Sequence, residues 1–326
     1  MGNKTKGLLS IDVLEAGVKE LTEPKYIVDL SVDVPEPVPV LTQGDYIIFS
    51  RGNISTIGGK AKSRKTFLIV LLATDYLAAK SGKVLIVDTE MALSHTYNTT
   101  RRIHRMMEWN TRQNHERLTV LSLREYAQAD RVAIFKKEIE ALRPELIFLD
   151  GVRDLVKDFN SVEESTQTVG MLMKLSSEYD CHICSILHEN KSDGQLRGHV
   201  GTEIANKSET VMIVTKNEEI STVEPKYTRN MPFDAFAFRI NDSLPVYCDF
   251  KPVKIDKMRK VFETLLSDGV TLSYGDLRSK VMEAENLKVS AAQNRISDAV
   301  TSGIIIKGQG GYYFPKPISD ESTIPF

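Results

Sequence analysis

Short apolar runs alternate with longer helical stretches along the middle of this chain. Strands are predicted at Ile54–Ile57, Lys83–Asp88, Leu118–Leu121, Leu146–Asp150, His182–His188 and Thr210–Thr215. Helices are predicted between them, at Lys65–Ala79, Ala129–Ala141 and Val162–Tyr179. Because the strand runs are apolar on successive positions, both faces of each strand are expected to be buried. The pattern therefore predicts an α/β domain with a central, mostly parallel sheet and helices on both sides.

The flanks of this region have a different pattern. Residues 1–40 are predicted to form an N-terminal arm, with one helix around Val13–Leu21 and an extended, proline-rich linker over Asp33–Leu41. Proline removes backbone donors, which disfavours a strand inside the linker. Glu224–Arg239 predicts a late hairpin or edge strand of the core domain, which is assigned to residues 41–250.

After Pro252 the apolar positions recur at helical spacing. Three helices are predicted, at Asp256–Leu266, Ser273–Ala284 and Ser290–Ser302, followed by a hairpin over Gly303–Phe314 that turns at Gly308–Gly311. Three helices closed by a hairpin are typical of a winged helix, so residues 253–316 are predicted to be a small winged-helix domain. Residues 317–326 are expected to be a flexible tail.

Composition and charge limit the function. The formal net charge of −2 excludes a general electrostatic attraction to nucleic acid, so DNA contact requires a local basic patch. Three cysteines give no disulfide framework and favour a cytoplasmic location. The polar N-terminus lacks a secretory signal, and the longest apolar run, Phe67–Ala73, is too short to cross a bilayer, so no membrane partner is expected.

The segment STIGGKAKSRKT, residues 55–66, has the composition of a phosphate-binding loop. Such a loop needs small residues that let backbone N–H groups face an anion, a helix start behind it, a phosphate lysine and a hydroxyl for Mg²⁺. Lys65 is the predicted lysine and Thr66 the predicted magnesium ligand. The nucleotide-binding residues are predicted to be Gly58, Gly59, Lys60, Ala61, Lys62, Ser63, Arg64, Lys65, Thr66 and Phe67. The cofactors expected at this loop are ATP and Mg²⁺.

One position departs from the pattern G-x-x-x-x-G-K-[ST], because Arg64 stands where the second glycine is expected. A Cβ atom at this position is expected to crowd the turn. A guanidinium near phosphate can either help or hinder binding. A chance Gly/Lys-rich turn before a helix is the alternative interpretation of the segment.

Three further polar residues stand at strand ends downstream. Asp150 ends an apolar strand, where P-loop enzymes place a magnesium-binding aspartate; a carboxylate that caps the next turn is the alternative. Glu90 follows the second strand, where a carboxylate can accept a proton from water. Its alternatives are a solvated loop residue, or Asp88 as the base. His188 is interpreted either as a sensor of the γ-phosphate or as a structural hydrogen-bonding residue.

Cys181 and Cys184 have the C-x-x-C spacing of redox and zinc sites. They lie in an apolar run, in which residues three apart point to opposite faces of a strand. The sequence offers no second cysteine or histidine pair to complete four ligands. Burial in the core is therefore the predicted role of both side chains.

Together these segments resemble the RecA-like core of hexameric replicative helicases, especially the RepA-type ATPases of plasmids and mobile elements. GNISTIGGKAKSRKT matches the strand, loop and helix start of that family, VDTEMALSHT its water-activating segment, and LIFLDGVRDL its magnesium strand. ILHENKSDGQLRGHVGTEIANKSETVMIV resembles the sensor strand, a DNA-facing loop and the next helix and strand. The resemblance covers about residues 40–250. It implies catalytic roles for Lys65, Glu90, Asp150 and His188, with Thr66 and Asp150 on Mg²⁺.

The resemblance also implies a homo-oligomer, hexameric in the family, with ATP bound between neighbouring subunits. A basic residue of the neighbour then completes the site. Arg229 in PKYTRNMPFDAFAF is the candidate and Lys226 the second, although their spacing departs from the family pattern and a solvated basic pair is the alternative. Single-stranded DNA would contact the loop Glu189–Leu196, and Arg197 and Gly198 would open the helix that follows.

The C-terminal region offers a second route to DNA. Residues 253–316 carry ten basic and seven acidic side chains. As a winged helix, the region would present Gln293, Asn294 and Arg295 to duplex DNA from its recognition helix, with Lys307 in the wing. A winged helix that binds protein is the alternative.

Three functions follow as hypotheses. The first is an ATP-driven, helicase-like motor in the replication or mobilisation of a mobile element. The second, which Arg64 favours, is an ATP-switched DNA-binding regulator or accessory replication factor with little turnover. The third is a nucleotide-binding scaffold that assembles with another protein through its C-terminal region.

Overall fold

The computed structural model describes residues 28, 30–31, 33, 36–158, 160–189, 196–250, 253–267, 270–301, 304–308 and 311–315. Contacts divide the chain into Met1–Val38 and Pro39–Phe326, and the elements below lie in the second unit. The predicted helix at Val13–Leu21, the tail 317–326 and most of the loop Glu189–Leu196 lie outside the described residues. The predicted domain boundaries stay predictions. Among the described residues, no helix is long and apolar enough to cross a membrane.

Six strands form the parallel part of a nine-stranded sheet. They are β3 (Ile54–Gly59), β4 (Val84–Asp88), β5 (Leu118–Ser122), β6 (Leu146–Asp150), β7 (His182–His188) and β8 (Thr210–Asn217). Their order is β8-β3-β7-β6-β4-β5, and all five neighbouring pairs are parallel. The predicted α/β core with a central, mostly parallel sheet is confirmed. One strand, β7, separates the strand before the phosphate loop from the strand that ends in Asp150.

Five helices cover this sheet. They are α1 (Lys65–Ala79), α2 (Leu93–Met106), α3 (Gln128–Leu142), α4 (Val162–Glu178) and α5 (Gly198–Lys207), and a short 3-10 helix spans Val152–Leu155. Two separate apolar clusters pack on the sheet, one with Phe148 and Cys184 and the other with Phe135 and Cys181. Both thiols are fully buried, and burial raises the pKa of Cys181 to about 12. The predicted packing role of these two cysteines is confirmed, in two different clusters.

The antiparallel strands differ from the prediction. The chain from Pro39 to Gln43 is a strand, β1, which pairs with β2 (Tyr46–Ser50), so the predicted linker Asp33–Leu41 ends inside a sheet. Pro39 opens β1, a position where a missing donor is tolerated. At the other edge, β9 (Ile220–Thr228), β10 (Phe236–Asn241) and β11 (Leu244–Cys248) extend the main sheet as an antiparallel meander. The structure therefore has three antiparallel strands where one hairpin or edge strand was predicted at Glu224–Arg239.

The C-terminal region has its own apolar cluster, which includes Phe262, Leu277 and Ile296. Its elements are α6 (Val253–Leu265), β12 (Leu272–Ser273), α7 (Tyr274–Glu285), α8 (Val289–Thr301), β13 (Ile305–Lys307) and β14 (Tyr312–Pro315). The strands form a sheet of order β12-β14-β13. Ser273 caps α7, its Oγ accepting from the backbone N of Asp276 at 3.2 Å. The three predicted helices and the closing hairpin are present, and the winged-helix assignment stays a prediction.

Candidate active site

The phosphate loop lies between the end of β3 and the start of α1. Gly59 ends β3, where an added Cβ would lie 2.6 Å from the backbone oxygen of Val214 and 2.7 Å from Ser63 Oγ. These distances are shorter than any side chain tolerates, so the close packing of the loop against β8 requires glycine. Helix α1 starts at Lys65 and is anchored below the loop by buried residues such as Leu68 and Leu72.

Lys65 connects the loop to the end of β7. Its Nζ donates to the backbone oxygens of Gly59 at 2.9 Å and Lys60 at 3.0 Å, and lies 3.2 Å from His188 Nδ1. The side chain is 6 % exposed, and burial lowers its pKa. The ammonium is thus held at the loop by weak acceptors that a phosphate can replace.

Asp150 and Thr66 meet on the other side of the loop. Thr66 Oγ1 donates to Asp150 Oδ2 at 3.1 Å. Burial, and next the negative charges of Asp88 and Glu90, raise the pKa of Asp150 to about 7. A hydroxyl and a carboxylate are hard oxygen donors of the kind that Mg²⁺ prefers. No cluster of three or more metal-binding side chains occurs in the described residues.

Glu90 and His188 face each other across the site. His188 Nε2 lies 3.4 Å from Glu90 Oε2, and this hydrogen bond is the main cause that lowers the pKa of Glu90. Because the Lys65 ammonium donates to Nδ1, the histidine proton belongs on Nε2, which can donate to the carboxylate. The arrangement keeps Glu90 ionised at neutral pH, as a base that accepts a proton from water requires.

Asp88 holds the loop that carries Glu90. Its Oδ1 accepts from the backbone N atoms of Glu90 at 3.1 Å and Met91 at 2.9 Å, and its Oδ2 accepts from Thr96 Oγ1 at 2.7 Å. With both oxygens engaged and 4 % exposure, Asp88 positions the loop, which argues against its alternative role as the base. Aspartate side chains often accept a hydrogen bond from the backbone N–H two residues on, which forms a turn. Asp88 is such a turn signal in the sequence.

Gly151 allows the loops after β4 and β6 to approach each other. Its φ is +104°, and an added Cβ would lie 2.1 Å from Thr89 Oγ1 and 3.0 Å from Glu90 Cγ. Thr89 Oγ1 lies within hydrogen-bonding distance of the Gly151 oxygen, at 3.0 Å, and of Asp154 Oδ2, at 2.9 Å. Glycine after Asp150 therefore keeps Glu90 close to Asp150.

Arg64 adopts the backbone conformation of the glycine that it replaces, with φ 72° and ψ 28°. Its guanidinium turns away to the β8–β9 turn, where it donates to the backbone oxygens of Glu219 and of Glu218, the latter at 3.4 Å. The expected crowding is thus avoided by a left-handed backbone, which costs a non-glycine residue about 1 kcal/mol. The side chain ties the phosphate loop to the hairpin.

A cavity of about 390 Å³ joins these groups. Its lining includes the predicted residues Lys62, Ser63, Arg64, Lys65, Thr66, Phe67, Glu90, Asp150 and His188. Sequence reasoning missed a wall supplied by α2, which includes His95, Thr99 and Arg102. The Arg102 guanidinium carbon lies 4.6 Å from the ring centroid of Phe67. These residues were missed because α2 itself was not predicted.

The remaining predicted residues lie elsewhere. Arg229 donates from Nε to the Ser208 oxygen at 3.3 Å and from Nη2 to the Lys207 oxygen at 3.2 Å, at the C-terminal end of α5. It is not at the site of its own chain, and its action on a neighbour stays a prediction, as does that of Lys226. Arg197 and Gly198 open α5 as predicted.

We expect Asp150→Asn to stabilise the protein at pH 8 in metal-free buffer by roughly 1–3 kcal/mol. The pKa of Asp150 is about 7 in the folded state, above an unfolded value of about 3.9. Below the unfolded value the carboxyl group is protonated in both states. Between the two pKa values only the folded state keeps the proton, so the free energy of unfolding falls as pH rises towards 7. Asparagine removes that loss. Urea unfolding in EDTA at pH 5 and pH 8 measures the gain in the free energy of unfolding, with Asp130→Asn, at an exposed position, as the control. A gain no larger at pH 8 than at pH 5 contradicts the prediction.

Comparisons with known proteins show the family of the chain. The family model of the AAA domain, AAA_25, matches residues 19–194, which is more than half of the chain and contains Lys65, Glu90, Asp150 and His188. A solved structure, the KaiC-like protein PH0186 from the hyperthermophilic archaeon Pyrococcus horikoshii OT3, is 11 % identical, with a TM-score of 0.47. The similarity covers 62 % of this chain and 91 % of that chain. No curated protein sequence matches the chain.

Proposed function

This chain belongs to the AAA domain family AAA_25 and has an ATPase core of RecA-like type, and from this premise we propose that it is a DNA-acting motor. ATP and Mg²⁺ bind at Gly59–Thr66, and hydrolysis drives a helicase-like action in the replication or mobilisation of a mobile element. The protein works in the cytoplasm as a homo-oligomer, and a hexamer is the form that the resemblance to RepA-type helicases favours.

The observation that carries the ATPase part is a continuous contact from the phosphate loop to the candidate base. Lys65 Nζ lies 3.2 Å from His188 Nδ1, and His188 Nε2 lies 3.4 Å from Glu90 Oε2. A histidine that touches both groups can report the state of the phosphate to the residue that activates water. A histidine with only a packing role needs neither contact.

The chemistry follows from these positions. Lys65 exchanges the loop carbonyls for the β and γ phosphates of ATP. Thr66 and Asp150 would hold Mg²⁺, which would supply positive charge that neutralises the charge of the phosphates. Glu90 accepts the proton of the attacking water, and the Nε2 proton of His188 holds its carboxylate in place.

Two predicted parts of the motor lie outside the nucleotide site of a single chain. Arg229 of a neighbouring subunit completes the site, which requires it to leave the end of α5. Single-stranded DNA contacts the loop Glu189–Leu196, and duplex DNA contacts the C-terminal region. In that region Arg295 Nε is paired with Glu285 Oε2 at 2.6 Å, whereas Gln293 and Asn294 are exposed and suited to a base edge.

ATP hydrolysis measured with and without single-stranded DNA tests this proposal, with Lys65→Ala as the blank. We expect turnover that DNA raises several-fold and that the blank lacks. Binding of ATP without turnover, whatever DNA is added, rejects the motor.

The second candidate function is an ATP-switched regulator or accessory replication factor. Arg64 favours it, because a left-handed arginine tied to the Glu218 and Glu219 carbonyls makes a stiffer phosphate loop than glycine does. Nucleotide binding would then change the contact between loop and hairpin, with little hydrolysis. ATP-dependent DNA binding without turnover is the result that favours the regulator.

A further inference from the structure

The loop predicted to face DNA, Glu189–Leu196, holds one basic residue, Lys191, which is little for a strand that carries a charge at every nucleotide. Positive charge is concentrated elsewhere. Residues 101–117 contain five arginines and two glutamates, in a chain whose net charge is −2. The arginines are Arg101, Arg102, Arg105, Arg112 and Arg117. A local basic patch of this kind is what DNA contact requires here.

Three of these arginines are engaged inside the fold. Arg102 Nε donates to the Ser243 oxygen at 3.1 Å, and Arg105 Nη2 donates to Asp242 Oδ2 at 2.5 Å. Arg117 donates to backbone oxygens around the end of α1, including that of Gly82 at 3.2 Å. They fix α2 and the start of β5 to the rest of the domain.

The other two arginines, Arg101 and Arg112, are exposed and line a groove of about 600 Å³ between α2 and the edge strand β5. We name it the α2–β5 groove. Its lining includes Tyr97, Arg101, Arg112, Gln113, Asn114 and His115. Glu116 also lines it, as an acidic group. The groove therefore combines two guanidinium groups with amides and a ring. It lies at the edge of the sheet that the structure describes, where β5 is the last strand and pairs with β4.

Aromatic groups complete the groove. Tyr97 is 53 % exposed, and the Arg101 guanidinium carbon lies 5.8 Å from its ring centroid. The ring of His115 stacks on Trp109, with centroids 3.5 Å apart and an angle of 6° between the planes. Proteins that bind single-stranded nucleic acid use exposed rings to stack on the bases and nearby cations to contact the phosphates.

The groove is connected to the candidate base. Thr96, in its lining, donates to Asp88 Oδ2 at 2.7 Å, and Asp88 Oδ1 holds the backbone N of Glu90 at 3.1 Å. Helix α2 starts three residues after Glu90. A ligand that shifts α2 therefore acts on the position of Glu90 through the side chains of Thr96 and Asp88.

We propose that the α2–β5 groove binds single-stranded DNA, with Arg101 and Arg112 on phosphates and Tyr97 stacked on a base, and that this binding reaches Glu90 through Thr96 and Asp88. This proposal rests on the DNA-acting function proposed above and assigns a DNA contact to a defined surface of the protein. It adds to the loop Glu189–Leu196 a second contact surface for the strand, at the edge of the sheet beside β5.

The test is fluorescence anisotropy with a labelled oligothymidylate of about 20 nucleotides, at several salt concentrations. The variant Arg101→Ala/Arg112→Ala is compared with Lys136→Ala/Arg239→Ala, which removes the same charge from exposed sites outside the groove. We expect the groove variant to bind at least about tenfold more weakly and its salt slope to fall by about 1.4, while the control loses less than about twofold. Unchanged melting temperatures, expected for exposed side chains, show that both fold.

Tyr97→Ala, compared with Tyr97→Phe, tests stacking separately, because phenylalanine keeps the ring. We expect the alanine variant alone to lose affinity, by roughly fivefold or more. If the groove variant and the control variant lose the same affinity for DNA, the groove proposal is overturned, even if DNA stimulates hydrolysis. Groove-dependent binding without stimulated hydrolysis keeps the groove and rejects the motor. No binding by the natural protein, or tighter binding of an oligouridylate, overturns the proposal.

Discussion

Glu90→Gln is expected to bind ATP normally and to hydrolyse it at least about 100-fold more slowly. Glutamine keeps the size of the side chain and can still contact His188, but it cannot accept a proton from water. The natural carboxylate is ionised at neutral pH because the His188 hydrogen bond lowers its pKa. The loss should therefore fall on kcat, with the Kd for ATP unchanged.

Single-turnover hydrolysis and a fluorescent ATP analogue measure the two quantities separately. Glu140→Gln, at an exposed position on α3, is the matched control and should keep full turnover. If Glu90→Gln retains more than about a tenth of the activity, the base lies elsewhere and the contact between His188 and Glu90 is structural.

Lys65→Ala is expected to weaken ATP binding by roughly 10- to 100-fold and to leave no measurable hydrolysis. The ammonium is buried beside Asp150 and Glu90, so its removal leaves negative groups facing the phosphates without compensation. The loss should appear in Kd and in kcat together, which distinguishes it from the Glu90 variant.

Isothermal titration with ATP and Mg²⁺ measures this binding, and Lys83→Ala, an exposed lysine before β4, is the control. A Lys65→Ala protein that binds ATP as tightly as the control places the nucleotide somewhere other than the phosphate loop. A protein that fails to bind in every form, the natural one included, shows that Arg64 closes the loop.

The buried part of the fold was predictable because one physical signal dominates it. Strands β6 and β7 and helix α1 have the predicted bounds, since runs such as LIFLD are apolar on both faces and end at polar residues. Helix α2 gave no such signal. It buries Thr96, Thr99 and His104 beside Ile103, so polar residues stand where the pattern requires apolar ones.

The site shows the same division. Lys65, Thr66, Glu90, Asp150 and His188 could be placed together because each follows or ends a strand at the same edge of a parallel sheet. The left-handed backbone of Arg64 could not be foreseen, because its partners in the β8–β9 turn are 154 and 155 residues away in sequence. Contacts of that kind depend on tertiary packing, which local patterns do not contain.

The stack of Trp109 on His115 has an optical consequence, because the chain contains one tryptophan. All tryptophan emission therefore comes from a single indole next to the α2–β5 groove. Face-to-face contact with an imidazole changes the emission of indole, so the emission should report any ligand that separates the two rings. The protein thus contains an intrinsic fluorophore at the surface where we place the DNA strand, and unlabelled protein can be followed in real time during a titration or a mixing experiment.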